Sequence, residues 1–386
     1  MSISMQSRRK AAIWPLAIAV ALSAAALIAL LSIDDQITLG VTLGVIAAGC
    51  VLAARFGAVA ATEAAGADHP FVLRVLVVLA AIAVLIGLRN DNFGLLMVTT
   101  VLIYATVCIG LTIQMGYAGL FNFAGAAFLG IGGYTAALLG PKGVPDLLLL
   151  ALGGFAAVVV GSLLLLPVLR TRGHYAALAT LAFSILFNVF LDANDIFGGP
   201  QGLKLQGMVL FGWDFTNDIT IAGYTISSYA NYAILAGLLT AAAMMLTGFI
   251  DRSWIGVWLD AVRLDEVAAS VFGLKIGRWK IAAFTIGNFF AGVMGALYAK
   301  MTGFIAPSNF TFGDSLTMVS IVILGGIGNR WGVLPAALIV VLLPEKLQFI
   351  QEYRFLLFSI LVIIILVAWP DGLIARRLRK LEFARR

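Results

Sequence analysis

The chain has 386 residues, of which 62% are hydrophobic and 11% charged, and it carries a formal charge of +6. Soluble domains run near 25% charged residues, so a water-soluble globule is excluded. The positive charge does not indicate nucleic acid either, because the basic residues sort by membrane side.

Apolar runs of about 17–25 residues, the length that crosses about 30 Å of hydrocarbon, recur from end to end, and several further runs are shorter or Gly-broken. Barrel strands would show short alternating segments instead. The expected fold is all-α, a polytopic helical membrane protein with about ten to twelve spans. In chain order the apolar runs fall at 12–31, 36–54, 71–88, 95–113, 121–139, 147–169, 175–191, 229–249, 281–299, 313–327, 332–350 and 355–369. The first has a basic start and an Ala-rich body, as a signal peptide would, but it is longer than a usual signal core and is read as a retained span.

With Arg8, Arg9 and Lys10 inside, the alternation of spans places Arg55, Arg74, Arg170, Arg172, the 251–280 loop, Arg330 and the tail from Arg376 to Arg386 on the same side. Of the 25 Lys and Arg, only six then lie outside: Arg89, Lys142, Lys204, Lys300, Lys346 and Arg354. That asymmetry is a positive-inside signal and predicts cytoplasmic termini. The longest outside loop, 192–228, is acidic and turn-rich around Gly198, Gly199, Pro200 and Gly202. It reads either as a solvated connection or as a docking surface for an external protein.

Several chemistries find no residues here. Cys50 and Cys108 lie in apolar runs without metal-ligand spacing, and His69 and His174 are far apart, so no metal site or nucleophile–base pair is expected. No Gly-rich phosphate loop of the Walker type occurs. Carboxylates are rare inside spans; Asp314 and Glu345 sit near span ends. Ion-coupled carriers generally need such a group within the membrane. An Arg-rich voltage-sensing helix and a TVGYG-like filter are also missing. If the chain transports, the energy comes from another subunit.

The 251–280 stretch is a charged island of five basic and four acidic residues. Residues 260–272 fit a short amphipathic helix: Ala261, Leu264, Val267, Ala268, Val271 and Phe272 share one face, and Arg263, Glu266 and Ser270 the other. Gly273 suits the left-handed position past its end. Such a helix either seats in a partner's groove or lies in the membrane interface, anchored by Trp254, Trp258 and Trp279.

The island resembles the cytoplasmic coupling loop of ABC importer permeases. Their signature places E-A-A, three residues, then G; here Ala268, Ala269 and Gly273 keep the spacing, Val267 occupies the acidic position, and Glu266 stands one place early. The wider blocks MGYAGLFNFAGAAFLGIGGYTAALL, LRTRGHYAALATLAFSILFNVF, GGPQG, VRLDEVAASVFGLKIGRWKIAAFTIGNFFAGVMGALYA, GFIAPSNFTFGDSLTMVSIVILGGIGNRWGVLPAALIV and WPDGL resemble branched-chain amino acid permeases in order over about residues 95–375. The first 90 residues resemble the extra N-terminal helices of the LivM-type inner-membrane subunit. The chain departs from the family's usual pattern at His174, at Ser308 and Asn309, and in Ala182 to Leu186, where a Glu is common; these departures bear on substrate more than on class.

The resemblance implies a permease subunit, not an enzyme, of an ATP-driven importer in the bacterial inner membrane. A second, LivH-type permease would complete the path, two cytoplasmic ATP-binding subunits would hydrolyse the ATP, and a periplasmic solute-binding protein would deliver the solute. The chain itself would bind no cofactor, and membrane lipid surrounds it. Residues 1–94 would hold extra helices and a cytoplasmic loop, 95–375 the permease core, and 376–386 a basic cytoplasmic tail. Asp265, Glu266, Ala268, Ala269, Phe272 and Gly273 would couple to the ATPase. Branched-chain amino acids are the implied solute; urea, amides or other small solutes are the alternative. An ATP-independent carrier or channel and a flux-free membrane scaffold or receptor are the readings from other classes.

The segment from Gly116 to Leu139 carries six glycines in 24 residues. Because each Gly costs a helix about 1 kcal/mol against Ala, the clustering needs a packing or unwinding reason. Gly116 and Gly119 are expected to break the helix beside Asn122, and Ala126 with Gly130 to permit close helix packing. Asn122, Phe123 and Tyr134 are the candidates for the translocation path, with plain helix packing the competing reading. GGIGNRWG, at 325–332, is expected to be a tight turn at the cytoplasmic surface.

Overall fold

The computed structural model describes residues 13–33, 35–55, 62, 65, 68–168, 174–221, 224–346, 353, 356, 360, 363, 372–374 and 376. The basic groups at 8–10 and 170–172, the tail beyond Arg376 and most of the run 355–369 lie outside the described residues. The contacts divide the chain into two units, Met1–Leu95 with Asp218–Ala230, and Leu96–Asn217 with Asn231–Arg386.

Among the described residues, the first unit holds the apolar helices α1 (Trp14–Ser32), α2 (Gln36–Arg55) and α3 (Pro70–Gly87). Proline stands in the first turn of α1 and α3, where its missing N–H removes a donor that had no partner anyway. Gly87 lets α3 close on Ile28 of α1: a Cβ there would stand 2.9 Å from the Ile28 Cδ1. The same unit includes the antiparallel pair of strands Ile219–Ile221 and Tyr224–Ile226. This stretch is held by Ser227 N–H donating to Arg89 O (3.1 Å) and by Ser228 N–H donating to the Asp218 carboxylate (2.9 Å).

The second unit begins within α4 (Asn92–Thr112), which widens into a π-helical turn at Ile113–Tyr117. It continues through α5 (Gly125–Leu139), α6 (Asp146–Val168), α7 (His174–Asp192), α8 (Tyr229–Arg252), α9 (Trp254–Leu264), α10 (Glu266–Val271), α11 (Ile276–Thr302), α12 (Phe312–Gly325) and α13 (Arg330–Ala337). A second π-helical turn, Leu338–Leu342, and a last turn, Leu343–Lys346, follow α13. Over the described residues to Lys346, the expected span 332–350 is therefore not one uniform α-helix: Pro335 lies inside α13, where it removes one ladder donor, and the ladder changes to a π turn after Ala337.

Six helices among the described residues are long and apolar enough to cross a membrane: Trp14–Ser32, Asn92–Tyr117, Asp146–Leu165, Tyr175–Asp192, Tyr229–Arg252 and Ile276–Thr302. The architecture is that of an all-α, multi-pass membrane protein. The reading of ten to twelve spans counted apolar runs. Two of these form helices of only 15 and 14 residues, α5 and α12, rising about 21–23 Å, and each is preceded by non-helical chain.

The core is the trio α5, α6 and α11, and glycine sets its spacing. A Cβ on Gly132 would overlap the Gly292 carbonyl, and one on Gly295 the Leu129 carbonyl. Small residues at membrane helix contacts allow this backbone approach, which is where packing energy comes from when lipid surrounds the bundle. The expected Ala126–Gly130 pair is not the seam of closest backbone approach; Gly130 instead borders the Phe187 and Phe310 rings.

One end of this unit is tied by irregular chain. Leu203–Lys204 pairs with Phe304–Ile305, and Val209–Leu210 with Trp213–Asp214. Lys300, at the end of α11, forms a 2.7 Å ion pair with Asp146, the first residue of α6. Asp146 also accepts from Val209 N–H, and the Tyr232 hydroxyl accepts from Met208 N–H while donating to Lys300 O. Lys300 and Asp146 are nearly buried, with side chains 7% and 11% exposed.

Removing one partner of a buried ion pair strands the other charge, at about 3–5 kcal/mol. Lys300→Met should lower the thermal midpoint of the purified protein clearly, and Lys300→Met with Asp146→Leu should recover part of the loss. A double variant less stable than the single one would show that the pair is not the source of the effect.

Candidate functional site

The helical ladder stops at the Gly116–Gly119 segment, as its glycines predict. After the π turn, Gly119 takes φ +68° and residues 118–124 are non-helical. Such a break is tolerated at membrane depth only where protein satisfies the freed backbone groups. The satisfying groups come from the break itself and from hydroxyls on two other helices, and Gln114 anchors the break to a third. Asn122 Oδ1 accepts from Ala124 N–H (2.9 Å), and Thr180 of α7 accepts from Phe123 N–H (3.0 Å). Ser315 of α12 accepts from Ala126 N–H (3.1 Å) and shares a hydrogen bond with Ser184 (3.2 Å). Gln114 accepts from Asn122 Nδ2 (2.7 Å) and donates to Phe284 O and Asn288 Oδ1 of α11, both at 3.0 Å. Gln114, Asn122, Thr180, Ser184, Asn288 and Ser315 are all buried.

The three path candidates do not meet in one place. Asn122 is fully buried and fastens the break to Gln114, and Phe123 contributes its backbone to Thr180. Tyr134 lies nine residues beyond the start of α5, about 13 Å along the axis. There it lines a cavity of about 470 Å³ with Ile131, Phe183, Leu186, Phe187 and Phe197. Its ring meets Phe197 edge-on at 5.7 Å and Phe310 at 6.0 Å. The ring is 2% exposed, and its hydroxyl has no hydrogen-bond partner among the described residues.

The island is not one helix over 260–272. Asp265 adopts an extended conformation (φ −157°) between α9 and α10 and caps α10, its carboxylate accepting from Val267 N–H (2.8 Å) and Ala268 N–H (3.0 Å). An Asp between two apolar turns competes for these orphan donors, which is why the helix restarts there. The far end is closed by Leu274 N–H to Ala269 O (3.1 Å) and Gly273 N–H to Ser270 O (2.9 Å), with Gly273 at φ +81°. This pair of bonds with a left-handed Gly is the Schellman closure.

The six coupling candidates therefore divide. Asp265, buried Ala269 and Gly273 build the turn. Glu266 pairs with Lys280 of α11 at 2.6 Å. Ala268 and Phe272 face outward, Phe272 being 86% exposed, alongside Leu264, Val267 and Val271.

Arg263 departs from the solvated face assigned to it. Its Nη1 donates to the Gly116 carbonyl at the end of the π turn. Burial, and secondarily the Arg376 charge, hold its guanidinium below the usual arginine range, with Asp260 opposing. Arg376 donates to the same carbonyl at 2.8 Å and pairs with Asp260 at 2.7 Å. The 325–332 segment is a tight turn, with Gly326 at φ +102° and Gly328 at +91°, and Arg330 lies 3.6 Å from Asp251. No group of His, Cys, Asp and Glu able to hold a metal ion occurs among the described residues.

Residues 93–367 match the family described as branched-chain amino acid transport system / permease component. The chain belongs to that family. It is 33% identical over 291 residues to the high-affinity branched-chain amino acid transport system permease protein LivM of Escherichia coli (strain K12), covering 72% of this chain and 68% of that protein. To LivH of the same organism it is 26% identical over 288 residues, covering 71% and 91%. To the probable branched-chain amino acid transport permease protein LivM of Methanocaldococcus jannaschii it is 24% identical over 329 residues, covering 71% and 91%. No solved structure matches it significantly.

The protein is thus, by family, a permease component of a transport system. Sequence reading overlooked Gln114, Asn288 and Ser315 as members of the break. The available signal was an amide or hydroxyl inside an apolar run, since such groups in lipid need a partner. Nothing local to Arg376 distinguishes it from the basic residues around it.

Asp265→Ala should fray α10 by about 1 kcal/mol, so that the amides of Val267 and Ala268 exchange about fivefold faster in hydrogen-exchange measurements. Asp265→Asn should exchange close to wild type; equal exchange in the Ala variant would refute the capping role.

Proposed function

We propose that this permease subunit belongs to an ATP-driven importer of branched-chain amino acids and docks an ATP-hydrolysing subunit through the tip of α10. The observation that carries the reading is a rigidly closed turn displaying Val267, Val271 and Phe272 at 73%, 79% and 86% exposure within a charged loop. Burying one such side chain contributes about 1.5–3 kcal/mol, and a turn already closed at both ends loses little freedom on docking. Energy enters through this surface, because the sequence lacks a phosphate-binding loop of its own.

In this reading a second, LivH-type permease completes the path, two cytoplasmic ATP-binding subunits take up the coupling helices, and a periplasmic solute-binding protein delivers solute. The chain binds no cofactor. The island, the 325–330 turn and both termini lie on the cytoplasmic side of the inner membrane, following the distribution of Lys and Arg. Ala268 and Phe272 contact the ATPase; Asp265, Glu266, Ala269 and Gly273 hold the surface in shape. Asn122 and Phe123 belong to the break that shapes the path, and Tyr134 to the solute-facing cavity. Its aromatic and aliphatic lining suits a branched side chain, with the free Tyr134 hydroxyl as the polar contact.

Phe272→Asp should reduce recruitment of the ATP-hydrolysing subunit at least tenfold in pull-down from membranes, leaving the permease inserted and folded. Undiminished recruitment, with loss of lipid association instead, would favour the rival in which the tip lies in the membrane interface; Trp254, 76% exposed on α9, is the observation on that side.

A buried hydroxyl without a partner costs about 1–3 kcal/mol. Tyr134→Phe should therefore leave the solute-free protein as stable as wild type or more so, while raising the concentration of leucine needed for half-maximal uptake. Unchanged uptake would remove Tyr134 from the path.

A further inference from the structure

The last carbonyls of a helix lack intrahelical donors and carry the negative end of its dipole. Gly116 O is such a group. The π turn sends Ala118 N–H to Ile113 O and Leu120 N–H to Gln114 O, and Gly116 O is taken up by two guanidinium groups, those of Arg263 and Arg376. Each arginine comes from a different part of the chain. Arg263 belongs to α9 of the island, and Arg376 lies 260 residues beyond Gly116.

Arg376 is fixed on every side. Its guanidinium lies 4.0 Å from the centre of the Tyr117 ring. One nitrogen stands 2.7 and 3.0 Å from the two oxygens of Asp260 on α9, and 3.9 Å from Asp251 at the end of α8. Its side chain is 11% exposed. The residues before it clip onto the end of α12 and its turn: Leu373 N–H donates to Leu324 O (2.8 Å), and Asn329 donates to Ile374 O (3.1 Å). One planar fork therefore joins α9 and the broken end of α4, and the nearby backbone of Leu373 and Ile374 ties the same segment to the 324–329 turn. Two residues before Gly116, Gln114 begins the amide chain to Asn122 and Asn288.

We propose that Arg376 is a positioning residue that transmits displacement of the 251–280 island to the helix break at Gly116. The proposal rests on the ATPase-coupling reading above and adds the route by which that coupling reaches the path. A shift of α9 by about an ångström carries Asp260 away from Arg376, to which it is held at 2.7–3.0 Å; either Arg376 follows and its 2.8 Å bond to the Gly116 carbonyl is stretched beyond useful range, or the carbonyl follows with it. Lysine cannot replace arginine here, because a point charge cannot hold the carbonyl, the carboxylate and the ring face together.

The test is the amount of leucine taken up per ATP hydrolysed, in proteoliposomes holding the complete complex with Arg376→Gln, Arg376→Lys or Asp260→Asn. Arg376→Gln and Arg376→Lys should recruit the ATP-hydrolysing subunit normally and hydrolyse ATP within about twofold of wild type, yet transport at least tenfold less per ATP. Asp260→Asn should shift the ratio in the same direction, and Arg376→Gln with Asp260→Asn should be no worse than Arg376→Gln alone, as for two residues in one link. A ratio within twofold of wild type in either Arg376 variant overturns the proposal, as does full rescue by lysine. If Arg376→Gln fails to assemble, the Lys and Asp260 variants decide by the same ratio. A wild-type chain that recruits no ATP-hydrolysing subunit overturns the coupling reading itself and this inference with it, whereas normal wild-type coupling with unaffected Arg376 variants overturns this inference alone.

Discussion

A helix that stops inside a hydrocarbon layer leaves amide groups that water cannot reach, and the rest of this structure is arranged around that constraint. Between Tyr117 and Gly125 the backbone is non-helical. The freed N–H groups are taken up by the preceding turn (Ile113 O and Gln114 O), by Asn122 within the break, and by Thr180 on α7 and Ser315 on α12. Gln114 then ties the break to α11 through Phe284 and Asn288. A helix break of this kind fixes register as well as position, because a neighbour rotated by one residue would present an apolar side chain in place of its hydroxyl or amide.

The glycine seam and the polar groups divide the work along the bundle. In the middle, α5, α6 and α11 approach through Gly132, Gly292 and Gly295 with backbone against backbone, so dispersion contacts do most of the holding there. At one end the Lys300–Asp146 pair binds α11 to α6 and collects the strands around Val209. At the other, Arg263 and Arg376 share the Gly116 carbonyl. The cavity at Tyr134 opens beside the seam, among Phe183, Phe187 and Phe197, where large aromatic rings replace glycine and the packing is less close.

Several helix boundaries were readable in the sequence because apolar length largely decides them; α6, predicted over 147–169, runs from Asp146 to Val168. The break beside Asn122 was readable from its glycines, and the 325–332 turn likewise. The island was only partly so. Periodicity over 260–272 fits a single helix, but local chemistry overrides it at Asp265, whose carboxylate takes the next two free amides. Arg263 looked solvated because helical periodicity describes one helix in isolation, whereas its partner is a carbonyl 147 residues earlier in the chain. Arg376 was illegible for the same reason: in a run of basic residues, which one turns inward depends on tertiary position.

The offset of the acidic residue in the coupling signature has a physical consequence. Glu266 stands in the first turn of α10, where a carboxylate is favoured by the helix dipole, and it is held there by Lys280 of α11 at 2.6 Å. It therefore braces the island against its own following helix. The next position, where similar permeases carry the charge, is Val267, and that side chain is 73% exposed beside Val271 and Phe272. An isolated six-residue helix is far below the length that is stable in water; this one persists because Asp265 and Gly273 close its two ends. In the proposed reading the partner thus meets a preformed apolar knob rather than a charged one. Its groove must be correspondingly apolar at that point, and the contribution of charge to docking moves outward to the rim.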